Sequence, residues 1–420
     1  MSTRDFQPRK PLARKSHEPK RWWDFPWGTV NCCLMKVTVV GGGIVGASAA
    51  FHLTRLGAEV CLVDSNASGR ATFAGAGIVC PWLSESTDPR YEAISFASAR
   101  YYPELVSMLT AVGETEIDYS LVGGLVVAES AAELDPVMRR LEKYLDRGIE
   151  DVGQIRLLDR GKPRELFPYL DSSLAAVHLS GAARVSGESF RTALINAALK
   201  AGAIQRTGTA VLQCTDDHTV AGVRIDGEFF SADTVLVAGG AWSTDLCRPL
   251  GLRLGVEPQR GQILHLRVKE EKTEMLPLII PSLTDYYLLG FPDSKVVMGA
   301  TRETGTKFDF RVTAGGVAEI LREGLRIAPG LKNATLAEIR VGFRPMTGDG
   351  LPSVGRPSGI SGLVIATGMG RYGLTTGPYA GLLAATVAIG QIPEADLSWF
   401  APDRFQNEIC SSLVSSHRLA

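Results

Sequence analysis

Charge of one sign is the first thing missing from this chain. Its 420 residues carry 44 Lys and Arg against 45 Asp and Glu, a formal net charge of −1. That balance argues against a nucleic-acid surface and against strong electrostatic steering by the whole molecule. Cysteine is scarce and unpatterned: the seven residues Cys32, Cys33, Cys61, Cys80, Cys214, Cys247 and Cys410 are odd in number and contain no C-x-x-C or metal-ligand spacing. A reduced, cytoplasmic protein is the simplest reading. The six histidines form no H-x-x-H or H-E-x-x-H, which leaves a metal site without support. No stretch reads as a transmembrane segment either. Residues 37–53 and 372–393 are uncharged, but the first is short and glycine-interrupted, and the second carries Gly373, Gly377, Pro378, Gly381 and Gly390 among threonines. There is no internal repeat.

Glycine, by contrast, is plentiful, with 45 residues, and its placement organises the chain. Residues 37–64, VTVVGGGIVGASAAFHLTRLGAEVCLVD, read as strand, glycine turn, helix and strand. Gly41, Gly43 and Gly46 complete a G-x-G-x-x-G spacing: the first allows the tight turn, the second lets backbone approach a pyrophosphate, the third lets helix sit close on strand. A helix over 47–56 then presents its N-terminus to phosphate, and the strand over 59–63 ends in Asp64, where a carboxylate can take a ribose 2′-OH. A glycine-rich turn in some other α/β domain is the bland alternative, and NAD and FAD both use such a cradle.

A chain of this length predicts two domains. Residues 1–34 are basic, proline-rich and without apolar periodicity, so a disordered tail is expected there, with Met35 as the natural start. Helices are expected over 91–112, 131–147, 187–200, 314–328 and 374–390. Strands are expected over 123–128, 210–213, 234–237 and 363–367, with a hairpin around Asp226-Gly227 and short antiparallel segments over 262–268, 286–290 and 296–301. Two of the strands run into glycine loops, AGGAWS at 238–243 and GMGRYG at 368–373, as at the carboxyl edge of a parallel sheet. The expected fold class is therefore α/β: a Rossmann-like cofactor domain in three pieces (35–85, 151–250 and 336–405), with a substrate domain on a mixed or antiparallel sheet (86–150 and 251–335) and a terminal tail (406–420).

With those pieces in place, the sequence resembles the D-amino-acid oxidase superfamily of FAD-dependent amine oxidoreductases, in particular its glycine oxidase and D-amino-acid dehydrogenase members. The resemblance is carried by VVGGGIVGASAAFHL at 39–53, TFAGAGIV at 72–79, VLVAGGAWS at 235–243, QRGQI at 259–263 and VGFRPMTGDGLPSVG at 341–355, followed by ATGMGRYGLTTGP; DLSWFAPDRF at 396–405 echoes the dehydrogenases. It implies FAD, with the pyrophosphate at Gly41, Gly43, Ile44, Val45 and Gly46, and the ribose on Asp64 and Ser65. Further contacts are implied along Arg70, Thr72, Ala76, Gly77 and Ile78, with Val211 at adenine and Gly239 in the second glycine loop. Met369, Gly370, Tyr372, Gly373, Leu374 and Thr375 are implied under the flavin ring.

For the substrate, the resemblance implies a small amino acid (D-amino acid, glycine or N-substituted glycine), its carboxylate on Arg344, with Arg371 beside the flavin and Tyr287, or its neighbour Tyr286, in the pocket. Hydride passes from Cα to flavin N5, to be handed on to oxygen or a quinone. A quinone acceptor would place the protein peripherally at the inner membrane, and homo-oligomer formation is left open. Two departures stand out: Met369 replaces a histidine common in relatives, and no cysteine occurs near FRPMT, so the FAD is expected to be noncovalent. The alternatives are an FAD-dependent hydroxy-acid oxidoreductase, and an FAD-binding protein with a non-catalytic or tRNA-modifying role.

Overall fold

A computed structural model describes residues 34–406, apart from 85, 87, 216, 217, 270 and 271. The tails expected over 1–34 and 406–420 lie outside these residues except for Leu34 and Gln406.

Valine and isoleucine runs buried on both faces favour a parallel sheet covered by helices. Six strands form it, in the order Ser353–Gly355, Leu363–Thr367, Thr234–Val237, Lys36–Val40, Glu59–Asp64 and Ile204–Thr207. All neighbours pair in parallel except the first two. The helix Ile44–Arg55 begins three residues before the expected 47, directly at the glycine turn, because Ile44 N donates to Thr72 Oγ1 at 3.0 Å and so finds a partner. It packs against Gly373–Ala388 and Gly187–Lys200. Gly373–Ala388 is buried almost all round, which explains its lack of amphipathic pattern. No helix among the described residues is long and apolar enough to cross a membrane.

The second large sheet has eight strands, in the order Thr335–Thr347, Val256–Arg267, Lys295–Gly299, Tyr287–Phe291, Leu278–Pro281, Gly124–Ala128, Ala175–Leu179 and Ile155–Leu158. It is antiparallel apart from Leu278–Pro281 beside Gly124–Ala128. Alternation divides its side chains between two cores. Leu125 and Val127 join Leu264, Met298 and Ile320 of the helix Ala314–Ile327. Val126 and Ala128 join the core that continues through the helices Pro89–Ala111 and Ala131–Asp146 to the parallel sheet. Residues 151–250 contribute strands to both large sheets, and residue 336 falls one position into a strand of the eight-stranded sheet.

Two expectations change. The 340–350 segment, for which the sequence suggests no strand, is strand as far as Thr347, because twelve residues pair along Val256–Arg267. The strands Leu278–Pro281, Ala175–Leu179 and Ile155–Leu158 were not anticipated: their partners are far away in sequence, and short apolar runs are ambiguous without them. The hairpin at Asp226-Gly227 forms with positive φ at both residues (47° and 94°), as a two-residue type I′ turn requires.

Candidate active site

The carboxyl ends of Lys36–Val40, Glu59–Asp64 and Thr234–Val237 open onto a cavity of about 590 Å³ that runs from Asp64 to Arg344. This is where open α/β sheets bind ligands, and the volume suits a small-molecule site. Every candidate residue named from the sequence lines it except Gly46 and Thr375. Gly46 works from behind: a Cβ there would lie 1.8 Å from the Gly41 carbonyl oxygen, so only glycine lets the helix lie this close to the strand. Thr375 is buried, and its hydroxyl donates to the Ile78 carbonyl at 2.9 Å.

At the first end, Gly41 has φ +106°, and a Cβ would come within 2.4 Å of the Ala238 carbonyl oxygen. A Cβ on Gly43 would meet only Thr72 Oγ1, at 3.3 Å. The helix Ile44–Arg55 has no acidic residue in its first turn, so the loop and helix N-terminus offer backbone N–H groups to an anion. Asp64, only 6% exposed, accepts from Asn66 N at 3.0 Å, from Arg70 Nη1 at 3.3 Å and from Arg191 Nη2 at 3.4 Å. Arg191 Nε also donates to the Gly42 carbonyl. Burial lowers the Arg191 pKa, and the Asp64 carboxylate opposes that shift. Sequence reasoning missed Arg191: it sits mid-helix in Gly187–Lys200 with no motif around it, and only the helix packing brings it to the glycine loop.

Further along, Ala76, Gly77 and Ile78 line the cavity together with Met369 to Leu374. The helix Gly373–Ala388 has neither a side-chain cap nor an acid in its first turn. Its partial positive end therefore bears on whatever occupies the middle of the cavity.

At the far end, Arg344 projects from Thr335–Thr347 opposite Gln259. Its Nη1 donates to the Thr301 carbonyl at 3.0 Å and to Gln259 Oε1 at 3.4 Å. The guanidinium occupies the space over Gly261, where a Cβ would lie 2.7 Å from it. Burial lowers the Arg344 pKa. The acid nearest in influence, Glu303, is held by Arg260 at 2.5 Å, and among the described residues no ion pair engages Arg344. Tyr287 stands beside it, with room for its hydroxyl because Gly299 opposite has no side chain. Burial pushes the Tyr287 phenol up to about 12 while Arg344 pulls it down. Tyr286 instead gives its hydroxyl to Glu319. Arg371 lies 4.0 Å from Asp285, which is also bridged to Arg302. Neither Arg302 nor Asp285 was found in the sequence, because no local pattern marks them. Among the described residues no cluster of three His, Cys, Asp or Glu could hold a metal ion.

The family described as "FAD dependent oxidoreductase" matches residues 36–387. An uncharacterized oxidoreductase of Bacillus subtilis (strain 168) is 40% identical over 87% of this chain and 97% of its own length. A glycine oxidase of Geobacillus kaustophilus (strain HTA426) is 30% identical over 88% and 96%. Among solved structures, iminodiacetate oxidase from Chelativorans sp. BNC1 superimposes with a TM-score of 0.84 at 44% identity, covering 87% of this chain and 98% of that one. The glycine cradle that side chains would fill, the two helix ends without first-turn acids and the Asp64 carboxylate fit the elongated dinucleotide that such a family carries.

Proposed function

The chain belongs to the FAD-dependent oxidoreductase family, and from that premise we propose that it oxidises the Cα–N bond of a small amino acid or N-substituted glycine. The observation that carries this reading is Arg344: a half-buried guanidinium facing the cavity, with a carbonyl and an amide for partners and no ion pair among the described residues. A desolvated guanidinium of this kind binds a carboxylate strongly and in a fixed plane. The glycine oxidase and iminodiacetate oxidase relatives act on substrates of that description.

The glycine cradle and residues 369–374 would hold FAD noncovalently, and the flavin would supply the hydride acceptor. The chain's own work is positioning. Arg344 fixes the substrate carboxylate, and the Tyr287 hydroxyl, protonated at neutral pH because its pKa is raised to about 12, serves as a donor to the same carboxylate and not as a base. With no base at that position, the substrate reacts as the free amine, and its orientation and desolvation in the cavity provide the rate enhancement. The imine formed leaves and hydrolyses.

The test is anaerobic mixing of the holoenzyme with glycine, sarcosine, iminodiacetate, proline and a set of D-amino acids while the flavin absorbance is followed. Bleaching by one or more is expected, and subsequent admission of air separates an oxidase from a quinone-linked dehydrogenase. A flavin that stays oxidised with all of them rules the reading out.

A further inference from the structure

Arg344 is not alone at its end of the cavity. Arg302 and Arg371 line the same space, and the fields of Arg371 and Arg344, after burial, hold the Arg302 pKa down to about 10. Both share one acid, Asp285, which is bridged to Arg302 and lies 4.0 Å from Arg371. Asp285 belongs to the connection between the strands Leu278–Pro281 and Tyr287–Phe291, and its side chain is 39% exposed. On its outer side a second cavity of about 530 Å³ opens, sharing Thr284, Asp285, Tyr286, Ala300 and Arg302 with the inner one. The Asp285–Arg302 pair is thus a partition between an outer vestibule and the inner site.

We propose that the inner site takes amines bearing two carboxylates, one on Arg344 and the second on Arg302 and Arg371, where it takes the place of Asp285. The proposal rests on the reading that the substrate carboxylate binds Arg344, and it adds the identity of the rest of the substrate. Exchange of one carboxylate for another conserves the charge facing the guanidinium groups. Asp285 is exposed enough to turn into the vestibule and be solvated there, so little desolvation opposes its departure. An incoming dianion reduces the mutual repulsion of three cations gathered in a cavity of low polarity. The Thr284 hydroxyl is buried, without a partner and on the same wall, a spare donor for the second carboxylate. A monocarboxylate does none of this and leaves Asp285 in place.

Two unreactive ethers test the idea on the holoenzyme, with perturbation of the bound flavin's visible spectrum as the readout: oxydiacetate, with two carboxylates, and methoxyacetate, with one. Oxydiacetate is expected to bind at least roughly tenfold more tightly, the gain typical of an added charged hydrogen bond. Arg302→Gln is expected to bring the two affinities close together, Arg302→Lys to restore part of the difference, and Asp285→Asn to tighten oxydiacetate more than methoxyacetate. Methoxyacetate binding in each variant, together with flavin retention, reports that the pocket is still formed. Equal affinities in the unaltered enzyme, or a ratio untouched by Arg302→Gln, overturn the proposal while leaving the Arg344 reading intact. If neither ether binds and no amine bleaches the flavin, both fail together.

Discussion

The half-buried guanidinium of Arg344 rests on one carbonyl and one amide oxygen through Nη1, so under the proposed function a substrate carboxylate would meet a cation that has already lost part of its hydration. Replacing it with leucine removes a charged, partly bidentate contact. The expected result is a rise in KM of roughly a hundredfold, about 3 kcal/mol, with flavin content unchanged. Steady-state kinetics beside the flavin-to-protein absorbance ratio checks both halves. Arg191 has the opposite profile. It joins the Gly42 carbonyl to the Asp64 carboxylate, so Arg191→Leu is expected to weaken FAD binding roughly tenfold or more, measurable as recovery of free-FAD fluorescence on dilution. Tyr287, protonated across the working range, yields a third outcome. The acid limb of kcat/KM should follow the pKa of the substrate amine and shift when a substrate of different amine pKa is used. A limb that stays fixed would point to a protein base.

At the scale of elements, the two helices that end on the cavity are locked together by what one of them lacks. A Cβ on Gly381 would fall 2.6 Å from Ser48 Cβ, and one on Gly377 2.7 Å from the Ile44 side chain. Ser48 Oγ then donates to the Pro378 carbonyl at 2.6 Å. Gly381→Val forces Ile44–Arg55 and Gly373–Ala388 apart, a cost of about 2–3 kcal/mol in a packed core. It should lower Tm and loosen FAD together, because both helix ends border the cavity. A calorimetric scan with an FAD titration checks the coupling. The helix Ile44–Arg55 also carries His52, bonded to Tyr101 of Pro89–Ala111 at 2.7 Å and lowered by burial to about 3. Below pH 6.5 the unfolded chain takes a proton at this position and the folded chain does not until about pH 3. Stability from this group is therefore lost as pH falls across that window, by up to about 1.4 kcal/mol per unit. Urea titrations of His52→Gln should show a shallower decline than the parent.

For the molecule as a whole, legibility in the sequence follows the range of the interactions concerned. The turn at Gly41 to Gly46 and the strands Lys36–Val40, Thr234–Val237 and Leu363–Thr367 announce themselves through apolar runs ending in glycine, a local signal. The eight-stranded sheet does not, because Gly124–Ala128 and Leu278–Pro281 find each other only in space. The same holds for the site. Arg344 was legible within a motif, whereas Arg191, Arg302 and Asp285 gain their meaning from helix packing and from a connection between strands. Removal of FAD empties a cavity that separates helix ends from a sheet edge. Apoprotein is expected to melt lower, by an amount corresponding to about 4 kcal/mol when the holoenzyme is measured at a thousandfold excess of FAD over its Kd; differential scanning fluorimetry across FAD concentrations gives the slope.

The strand order of the parallel sheet also has a bearing on biosynthesis. Lys36–Val40 lies between a strand that follows it closely, Glu59–Asp64, and one from nearly 200 residues later, Thr234–Val237, whose own neighbour is Leu363–Thr367. While the ribosome is still translating the second half, the first cradle strand has one edge unpaired and its helix has no Gly381 to rest on. The nascent chain cannot complete a flavin site until the helix Gly373–Ala388 has been released. Cofactor capture is thus a step that follows synthesis, and FAD met at that moment stabilises the completed fold by mass action.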